Sequence, residues 1–210
     1  MRERLDRYLA LLLEANANVN LTAVREPEAI RVRHFEDSLK LLDAADFASK
    51  RVLDVGSGAG FPGLVLRIAE PSVKLTLLDA TGKKVVFSQS VCGALGFSDV
   101  SCVHGRAEEL GHDKAYRERY DIVTARGVAA LPALCEICLP FVRLGGLFLS
   151  MKETPETFSD AVRFGGTQEA PLIYTLSDGR SHAVCRFRKT APTPPQYPRA
   201  WSKIKRGFSS

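Results

Sequence analysis

The chain has 210 residues, of which 45% are hydrophobic and 25% are charged, and its net formal charge is +5. This length and composition predict one globular domain with a substantial core. No apolar run approaches the roughly 20 residues of a membrane-spanning helix, and the N-terminus lacks the apolar segment of a signal peptide. We therefore expect a cytoplasmic protein without a membrane partner. The five cysteines, an odd number in mostly apolar surroundings, indicate reduced thiols rather than a disulfide framework.

Two helices are predicted before the first strand. The first covers residues 2–17, because four leucines recur there at helical spacing. These are Leu5, Leu9, Leu12 and Leu13. The second helix is predicted from about residue 27 to 42, and Pro27 suits its first turn. Together the two helices predict an N-terminal helical extension over residues 1–48.

The next part of the chain, residues 49–189, alternates between short apolar runs and helical patterns. Seven strands are predicted, at residues 52–55, 73–78, 100–103, 122–125, 147–151, 172–176 and 183–187. Helical patterns lie at about 62–69, 82–95, 131–141 and 155–163. The alternation predicts an α/β, Rossmann-like domain with a mainly parallel sheet, in which ligands bind beyond the carboxyl ends of the strands. A turn at residues 177–180 predicts that the last two strands form an antiparallel hairpin.

A glycine-rich loop follows the first predicted strand, in the segment Asp54-Val55-Gly56-Ser57-Gly58-Ala59-Gly60-Phe61-Pro62-Gly63. Glycines permit positive φ and let a ligand approach the backbone, so the loop predicts a nucleotide-like cofactor. Gly58, Gly60 and Gly63 have the spacing of a dinucleotide fingerprint, and Asp79 follows Gly58 by 21 residues, which permits a nicotinamide dehydrogenase. The acid Asp54 ahead of alternating glycines instead resembles the S-adenosylmethionine loop of class I methyltransferases, the interpretation that we favour.

Four further residues are candidates for cofactor contact because each follows a predicted strand. Asp79 is placed to accept the ribose hydroxyls, although it could equally belong to a helix start capped by Thr81. Ala107 and Glu108 follow the third strand, where class I enzymes contact adenine. Arg126 ends the fourth strand and would face the methionine end and the substrate, although a surface ion pair is the alternative.

The C-terminal end is strongly basic. From Gly179 onwards there are eight Lys and Arg residues and no acid, which leaves the first 178 residues with 21 minus 24, or −3. Such a segment predicts a polyanionic partner such as RNA, although a solubilising tail is the alternative. A proline-rich connector at 190–198 leads into it, and residues 190–210 are expected to pack on or near the active site.

Eight residues are candidates for contact with RNA, as phosphate-binding cations or, for Trp201, as a stacking surface. They are Arg33, His34, Arg126, Arg199, Trp201, Lys203, Lys205 and Arg206. For His34 a structural role is favoured, with Asp37 one helical turn away as the hydrogen-bond partner of its ring. The pair Cys135 and Cys138 lies in an apolar helical pattern without a second pair, so no metal or redox site is expected.

Several motifs together resemble one known family. They are Asn20-Leu21-Thr22-Ala23, Arg33-His34-Phe35-Glu36-Asp37-Ser38-Leu39, the loop from Asp54 to Gly63, Leu77-Leu78-Asp79, Ala125-Arg126, Tyr197-Pro198-Arg199 and Lys203-Ile204-Lys205. The combination resembles the small-subunit ribosomal RNA methyltransferase G family, also called glucose-inhibited division protein B, from about residue 9 to 208.

The resemblance implies transfer of a methyl group from S-adenosyl-L-methionine to N7 of one guanine in 16S ribosomal RNA, near the decoding region. It implies a class I fold with a seven-stranded sheet, cofactor contacts at Gly56, Phe61, Ala107, Glu108 and Arg126, and 16S RNA or the small subunit as partner. With the glycine loop, the predicted cofactor set also includes Ser57, Gly58, Gly60 and Asp79. We expect a monomer without a metal.

Two departures from the family pattern stand out. Family members commonly carry another helical segment ahead of the first helix, and many have Lys-Gly where this chain has Lys152-Glu153. Guanine N7 presents an unprotonated lone pair, so no catalytic base is expected and catalysis would rest on positioning. Two alternatives stay open on the sequence, namely a nicotinamide oxidoreductase and an RNA-binding module with a vestigial loop.

Overall fold

A computed structural model describes residues 1–207, and residues 208–210 of the predicted C-terminal segment lie outside the described residues. Its centre is a sheet of seven strands. They are β1 (Arg51–Val55), β2 (Lys74–Asp79), β3 (Ser101–His104), β4 (Tyr120–Arg126), β5 (Val142–Lys152), β6 (Gly166–Thr175) and β7 (Ser181–Lys189). The order is β3-β2-β1-β4-β5-β7-β6, and β7 pairs antiparallel with both β5 and β6. The first five strands pair in parallel, which confirms the predicted mainly parallel sheet with a terminal hairpin.

Helices cover both faces of the sheet. They are α1 (Arg2–Val19), α2 (Pro27–Ile30), α3 (Asp37–Leu39), α4 (Gly63–Ala69), α5 (Gly82–Leu95), α6 (Ala107–Leu110), α7 (Leu131–Cys138) and α8 (Trp201–Gly207). A π-helical turn, Arg31–Glu36, joins α2 to α3, and short 3₁₀ segments lie at Lys40–Asp43, Leu139–Phe141 and Ser159–Phe164. The second predicted helix is therefore one helical segment, residues 27–43, with a π turn in its middle.

One predicted helix, at residues 155–163, is wrong. A 3₁₀ turn occupies Ser159–Phe164, and the chain before it is not helical. The side chain of Gln168 explains this, because it accepts a hydrogen bond from the backbone N–H of Phe158 (2.7 Å) and donates one to the carbonyl of Glu156 (2.7 Å). Those backbone groups are satisfied without a helix.

Alternate residues of each central strand enter two apolar layers. In β1, Val52 joins the layer beneath α1, α4 and α5, whereas Leu53 joins the layer beneath α7 and α8, and both side chains are 0% exposed. The N-terminal helix is part of the first layer, and Ile204 of α8 is buried in the second. Both termini of the described chain thus contribute to the core.

The carboxyl ends of β1, β2 and β4 lie side by side, since Val55 pairs with Leu78 on one side and with Ala125 on the other. This register brings the glycine loop, Asp79 and Arg126 to one edge of the sheet. None of the described helices combines the length and apolarity needed to cross a bilayer. Within residues 1–207 no three His, Cys, Asp or Glu side chains are grouped as a metal site would require.

Candidate active site

The glycine loop is fixed to the end of β2 by its own backbone. Gly56 and Ser57 donate their N–H groups to the carbonyl of Leu78 (2.8 and 3.0 Å), and Gly58 donates to Oδ2 of Asp79 (2.9 Å). Gly58 has φ +58°, and a Cβ added there would meet only the carbonyl of Gly56, at 3.9 Å. The glycine therefore leaves free the space above the loop, where a ligand would lie.

Asp54, the acid ahead of the glycines, supports the loop from below. Its carboxyl is fully buried and accepts hydrogen bonds from the backbone of Gly63 (3.0 Å) and the hydroxyl of Thr124 (2.9 Å). Burial raises its pKa to about 6. Asp54 thus joins β1 to the start of α4 and to β4, and its role is to hold the loop in place.

Three adjoining cavities line the carboxyl edge. The apolar cavity, about 250 Å³, is bordered by Leu78, Ala107, Val128, Ile137 and Trp201 among others. The central cavity, about 400 Å³, lies over the glycine loop. The basic cavity, about 680 Å³, is bordered by four cations, two histidines and three acids, namely Arg33, Arg126, Lys152, Arg180, His34, His182, Asp37, Glu153 and Glu156. The central cavity shares Gly56 and Asp79 with the apolar cavity, and His34 and Arg126 with the basic one, so the three form a row.

Asp79 borders both the apolar and the central cavity. Its Oδ1 accepts the backbone N–H of Thr81 (2.8 Å) and its Oδ2 accepts that of Gly58 (2.9 Å). Thr81 occupies the N-cap position of α5 without a side-chain cap hydrogen bond. Each carboxylate oxygen of Asp79 keeps a second acceptor direction, so the alternative N-cap arrangement does not exclude a ligand contact.

Ala107 and Glu108 form the first turn of α6, a helix that the sequence did not predict. Both border the apolar cavity, as does Arg106, whose Nη1 lies 3.8 Å from Oε1 of Glu108. The structure therefore places these two predicted contacts beside Asp79, at the far side of the row from Arg126.

Arg126 separates the central from the basic cavity. Its Nη1 donates to the carbonyl of Arg33 and to Oδ2 of Asp37, and its Nη2 donates to Nδ1 of His34, each at 3.1 Å. The guanidinium carbon lies 5.1 Å from the ring centre of Phe61. The side chain is only 18% exposed, so the alternative of a surface ion pair does not describe it.

The predicted hydrogen bond between the carboxylate of Asp37 and the ring of His34 is wrong. Asp37 turns toward the sheet, where Oδ1 accepts from the hydroxyl of Tyr174 (2.7 Å) and from Nδ1 of His182 (2.9 Å), while Oδ2 accepts from Arg126. The carboxyl is nearly fully buried, and three donors satisfy it better than one ring would. We call these four residues, Asp37, Arg126, Tyr174 and His182, the Asp37 network.

His34 has different partners. Its ring stacks on Phe61 with centres 4.6 Å apart, and its Nε2 lies 2.8 Å from the hydroxyl oxygen of Thr22. Burial, followed by the guanidinium of Arg126, lowers the pKa of His34 to about 4, so the imidazole is neutral at pH 7. The favoured structural role agrees with this geometry, although the ring also borders two cavities.

The eight candidate RNA contacts fall into two groups. Arg33, His34 and Arg126 border the basic cavity, whereas the other five belong to the C-terminal segment. Arg199 donates two side-chain hydrogen bonds to Glu136 (2.8 and 2.7 Å), and its side chain is 32% exposed. Trp201 borders the apolar cavity instead of an open surface. Lys203, Lys205 and Arg206 are exposed on α8.

Sequence reasoning missed several residues of this region. Tyr174 and His182 are not among the predicted site residues, yet they pair directly across β6 and β7. Their positions on either side of the predicted turn at residues 177–180 were the available signal. Glu136 lies within a predicted apolar helix and was given no role of its own. A lone acid in an otherwise apolar pattern indicates a buried side chain that has a charged partner.

Comparison with known proteins assigns a family. A family model described as rRNA small subunit methyltransferase G matches residues 1–161. The chain is 41% identical over 206 residues to the ribosomal RNA small subunit methyltransferase G of Alkaliphilus metalliredigens, covering 94% of this chain and 86% of that protein. It is 40% identical over 206 residues to the protein of the same name from Leuconostoc citreum, with the same coverage.

Solved structures agree on the fold. TrmN from Thermus thermophilus matches with TM-score 0.58 and 20% identity over 72% of this chain and 48% of that chain. A precorrin-6y C5,15-methyltransferase from Geobacter metallireducens matches with TM-score 0.53 and 14% identity over 73% and 87%. The arrangement is the class I methyltransferase fold with an added N-terminal helix, as predicted.

Proposed function

The chain belongs to the rRNA small subunit methyltransferase G family, and from that premise we propose that it transfers a methyl group from S-adenosyl-L-methionine to N7 of a specific guanine in 16S ribosomal RNA. The nicotinamide oxidoreductase considered from the loop spacing is not supported, because the family and its relatives are methyltransferases. The row of three cavities at the carboxyl edge is the observation that carries the proposal.

The residues of the apolar and central cavities fit this cofactor. Asp79 offers two carboxylate oxygens with free acceptor directions for the ribose hydroxyls. Ala107 and Glu108 border an apolar space suited to the adenine. Gly58 borders the central cavity, and no side chain lies within 4 Å of a Cβ added there. When bound, the cofactor supplies an electrophilic methyl group on a sulfonium.

The other predicted cofactor contacts, Gly56, Ser57, Gly60, Phe61 and Arg126, keep their proposed role. Gly56, Ser57 and Phe61 border the central cavity together with Arg126. Gly60 shapes the loop from within, since a Cβ there would lie 2.4 Å from a methyl carbon of Leu64. Arg126 stands where the central cavity opens into the basic one, which is where the methyl group must meet the guanine.

The unprotonated N7 of guanine and the hydrogen-bonded imidazole of His34 both favour catalysis by positioning. Guanine N7 is an unprotonated acceptor at neutral pH, so its attack on the methyl carbon releases no proton that a base must take. His34, whose imidazole borders both the central and the basic cavity, is held between Thr22 and Arg126 and is not poised as a base. Holding nucleophile and methyl group in line can supply roughly 7–11 kcal/mol.

The basic cavity is the proposed entry for the RNA. Its border carries four cations, Arg33, Arg126, Lys152 and Arg180, against three acids, so a small excess of positive charge faces the RNA. Lys203, Lys205 and Arg206 provide a second exposed group on α8 for phosphate contact. Replacing these three residues with alanine should weaken RNA binding and reduce the slope of log affinity against log salt by about 0.7–0.9 for each lost contact.

The matched control removes three exposed cations elsewhere, in the variant Arg7→Ala, Lys74→Ala, Lys114→Ala. An equal loss of slope in both variants would show that only net charge matters and would remove α8 from the RNA site. That the enzyme acts as a cytoplasmic monomer, on naked RNA or on a subunit particle, stays a prediction.

Two experiments test the proposed function. Mapping 7-methylguanine in 16S RNA from cells with and without the gene should reveal one position that loses its methyl group. Calorimetry should show binding of S-adenosylhomocysteine and none of NADH. Tight NADH binding with no S-adenosylhomocysteine signal would refute the proposal.

A substitution pair tests the loop directly. Gly58→Leu should abolish methylation while RNA binding persists, because the side chain would enter the central cavity. Gly96→Leu is the matched control, since Gly96 also has positive φ (+73°) and open space around it, but ends α5 away from the cavities. Equal methylation rates of the two variants would contradict the assigned role of Gly58.

A further inference from the structure

The C-terminal strap, residues 190–207, is bound along the body of the protein by one arginine. Arg117 donates hydrogen bonds to the carbonyls of Thr193 (2.7 Å), Pro194 (3.2 Å) and Tyr197 (2.9 Å). The strap also accepts a hydrogen bond at the carbonyl of Pro198 from Nε2 of His112, at 2.7 Å. These contacts order a segment whose composition suggested an extended linker.

A buried ion pair fixes the strap just before α8. Glu136 of α7 is 0% exposed, and its carboxylate accepts the backbone N–H of Arg199 (2.9 Å) as well as Nε (2.8 Å) and Nη2 (2.7 Å). Three hydrogen bonds to one carboxylate set both the position and the direction of the chain at residue 199. Ile204, also 0% exposed, packs the following helix onto the second apolar layer.

The position of Trp201 follows from these two anchors. Its indole is partly buried against the second apolar layer and borders the apolar cavity. The same cavity is bordered by Leu78 from β2, Ala107 and Glu108 from α6, and Ile137 from α7. The strap therefore completes a small apolar space that Asp79 borders on its polar side.

We propose that Trp201 is a cofactor-binding residue, whose indole forms the outer wall of the apolar cavity and contacts the adenine of S-adenosyl-L-methionine. This inference rests on the proposed function and replaces the predicted role of Trp201 in stacking on RNA. A flat aromatic wall suits a purine, because every base has a π face and stacking on an aromatic side chain contributes to binding whatever the base.

Intrinsic fluorescence tests the contact without any substitution, because Trp201 is the one tryptophan in the chain. Titration of the full-length protein with S-adenosylhomocysteine should change the tryptophan emission saturably, with the same dissociation constant as calorimetry. Trp201→Phe should keep affinity within a few fold, whereas Trp201→Ala should weaken it by about 5- to 150-fold, the range of base–aromatic stacking. Ser202→Ala, an exposed neighbour on the same helix, should bind as the wild type does.

The outcomes separate this inference from the proposed function. If the wild type binds S-adenosylhomocysteine in the calorimeter with no change in emission, the contact is refuted and the function stands. Equal affinity of Trp201→Ala and wild type would refute it in the same way. A change in emission with 16S RNA but none with S-adenosylhomocysteine would return Trp201 to the RNA site. If the wild type does not bind S-adenosylhomocysteine, the proposed function itself fails.

Discussion

Replacing Arg199 with alanine would leave the carboxylate of Glu136 buried without its charged partner. Removing one partner of a buried ion pair typically destabilises a fold by about 3–5 kcal/mol. The Arg199 side chain is 32% exposed, so water screens part of the attraction and the lower end, about 3 kcal/mol, is expected. For a chain of this length that loss lowers the melting temperature by about 6–12 °C.

A double-mutant cycle separates the buried charge from the lost contacts. Glu136→Gln should be milder, about 1–2 kcal/mol, because it removes the charge and keeps the volume. The double variant should be more stable than Arg199→Ala alone, since the neutral amide oxygen of Gln still accepts the backbone N–H of residue 199. Chemical denaturation and calorimetry of all four proteins give the coupling energy.

A surface pair provides the control for this cycle. Lys50 lies 3.8 Å from Asp46, with 38% and 74% of the two side chains exposed, so Lys50→Ala should change stability by less than about 1 kcal/mol. A double variant that is no more stable than Arg199→Ala would show that the buried charge of Glu136 is not the source of the loss.

Two further predictions concern the loop and its neighbour. Gly60→Ala should destabilise the fold and weaken cofactor binding, because at φ +97° the added Cβ would lie 2.4 Å from Leu64 and 2.7 Å from the hydroxyl of Tyr8. The control Gly93→Ala, in open space on α5, should stabilise the fold by about 0.5–1 kcal/mol. Calorimetry compares the two variants, and equal melting temperatures would contradict the clash at Gly60. His34 has a pKa of about 4 in the fold against 6.5 in the unfolded chain, so the unfolded chain binds a proton more tightly. The stabilisation from the neutral imidazole is therefore fully present above pH 6.5 and is lost as the pH falls toward 4. The stability difference between wild type and His34→Asn should therefore shrink by up to about 3 kcal/mol over that window, and a constant difference in denaturation experiments would contradict the pKa shift.

The sheet and the loop were predictable because their signals are local. Apolar runs of four to six residues marked the strands, and the residues from Asp54 to Gly63 carry the loop in one contiguous segment. The parallel order then followed from strand–helix alternation, since crossover connections permit few topologies. Asp79 and Arg126 were found for the same reason, as residues at the ends of predicted strands.

The Asp37 network and the position of Trp201 were not predictable in this way. Asp37 lies 137 and 145 positions from Tyr174 and His182, so their contact depends on how the hairpin docks on the sheet edge. The spacing of one helical turn predicted a hydrogen bond between Asp37 and His34. In the fold the buried carboxylate of Asp37 instead accepts hydrogen bonds from three other donors. Trp201 reaches the apolar cavity because Glu136 holds Arg199, a contact across 63 positions, and because Ile204 packs α8 onto the second apolar layer.

The edge hairpin is linked to the site more tightly than its exposed turn suggests. Ser177 donates its backbone N–H to Glu36 (2.9 Å), and Asp178 lies 3.8 Å from Arg33. Hairpin turns at a sheet edge usually accept inserted residues or fused peptides, because little else depends on them. In this protein an insertion at the turn would shift His182 relative to Asp37, and so disturb Arg126 at the mouth of the central cavity. For protein engineering, this turn should be treated as a support of the candidate active site rather than as a free attachment point.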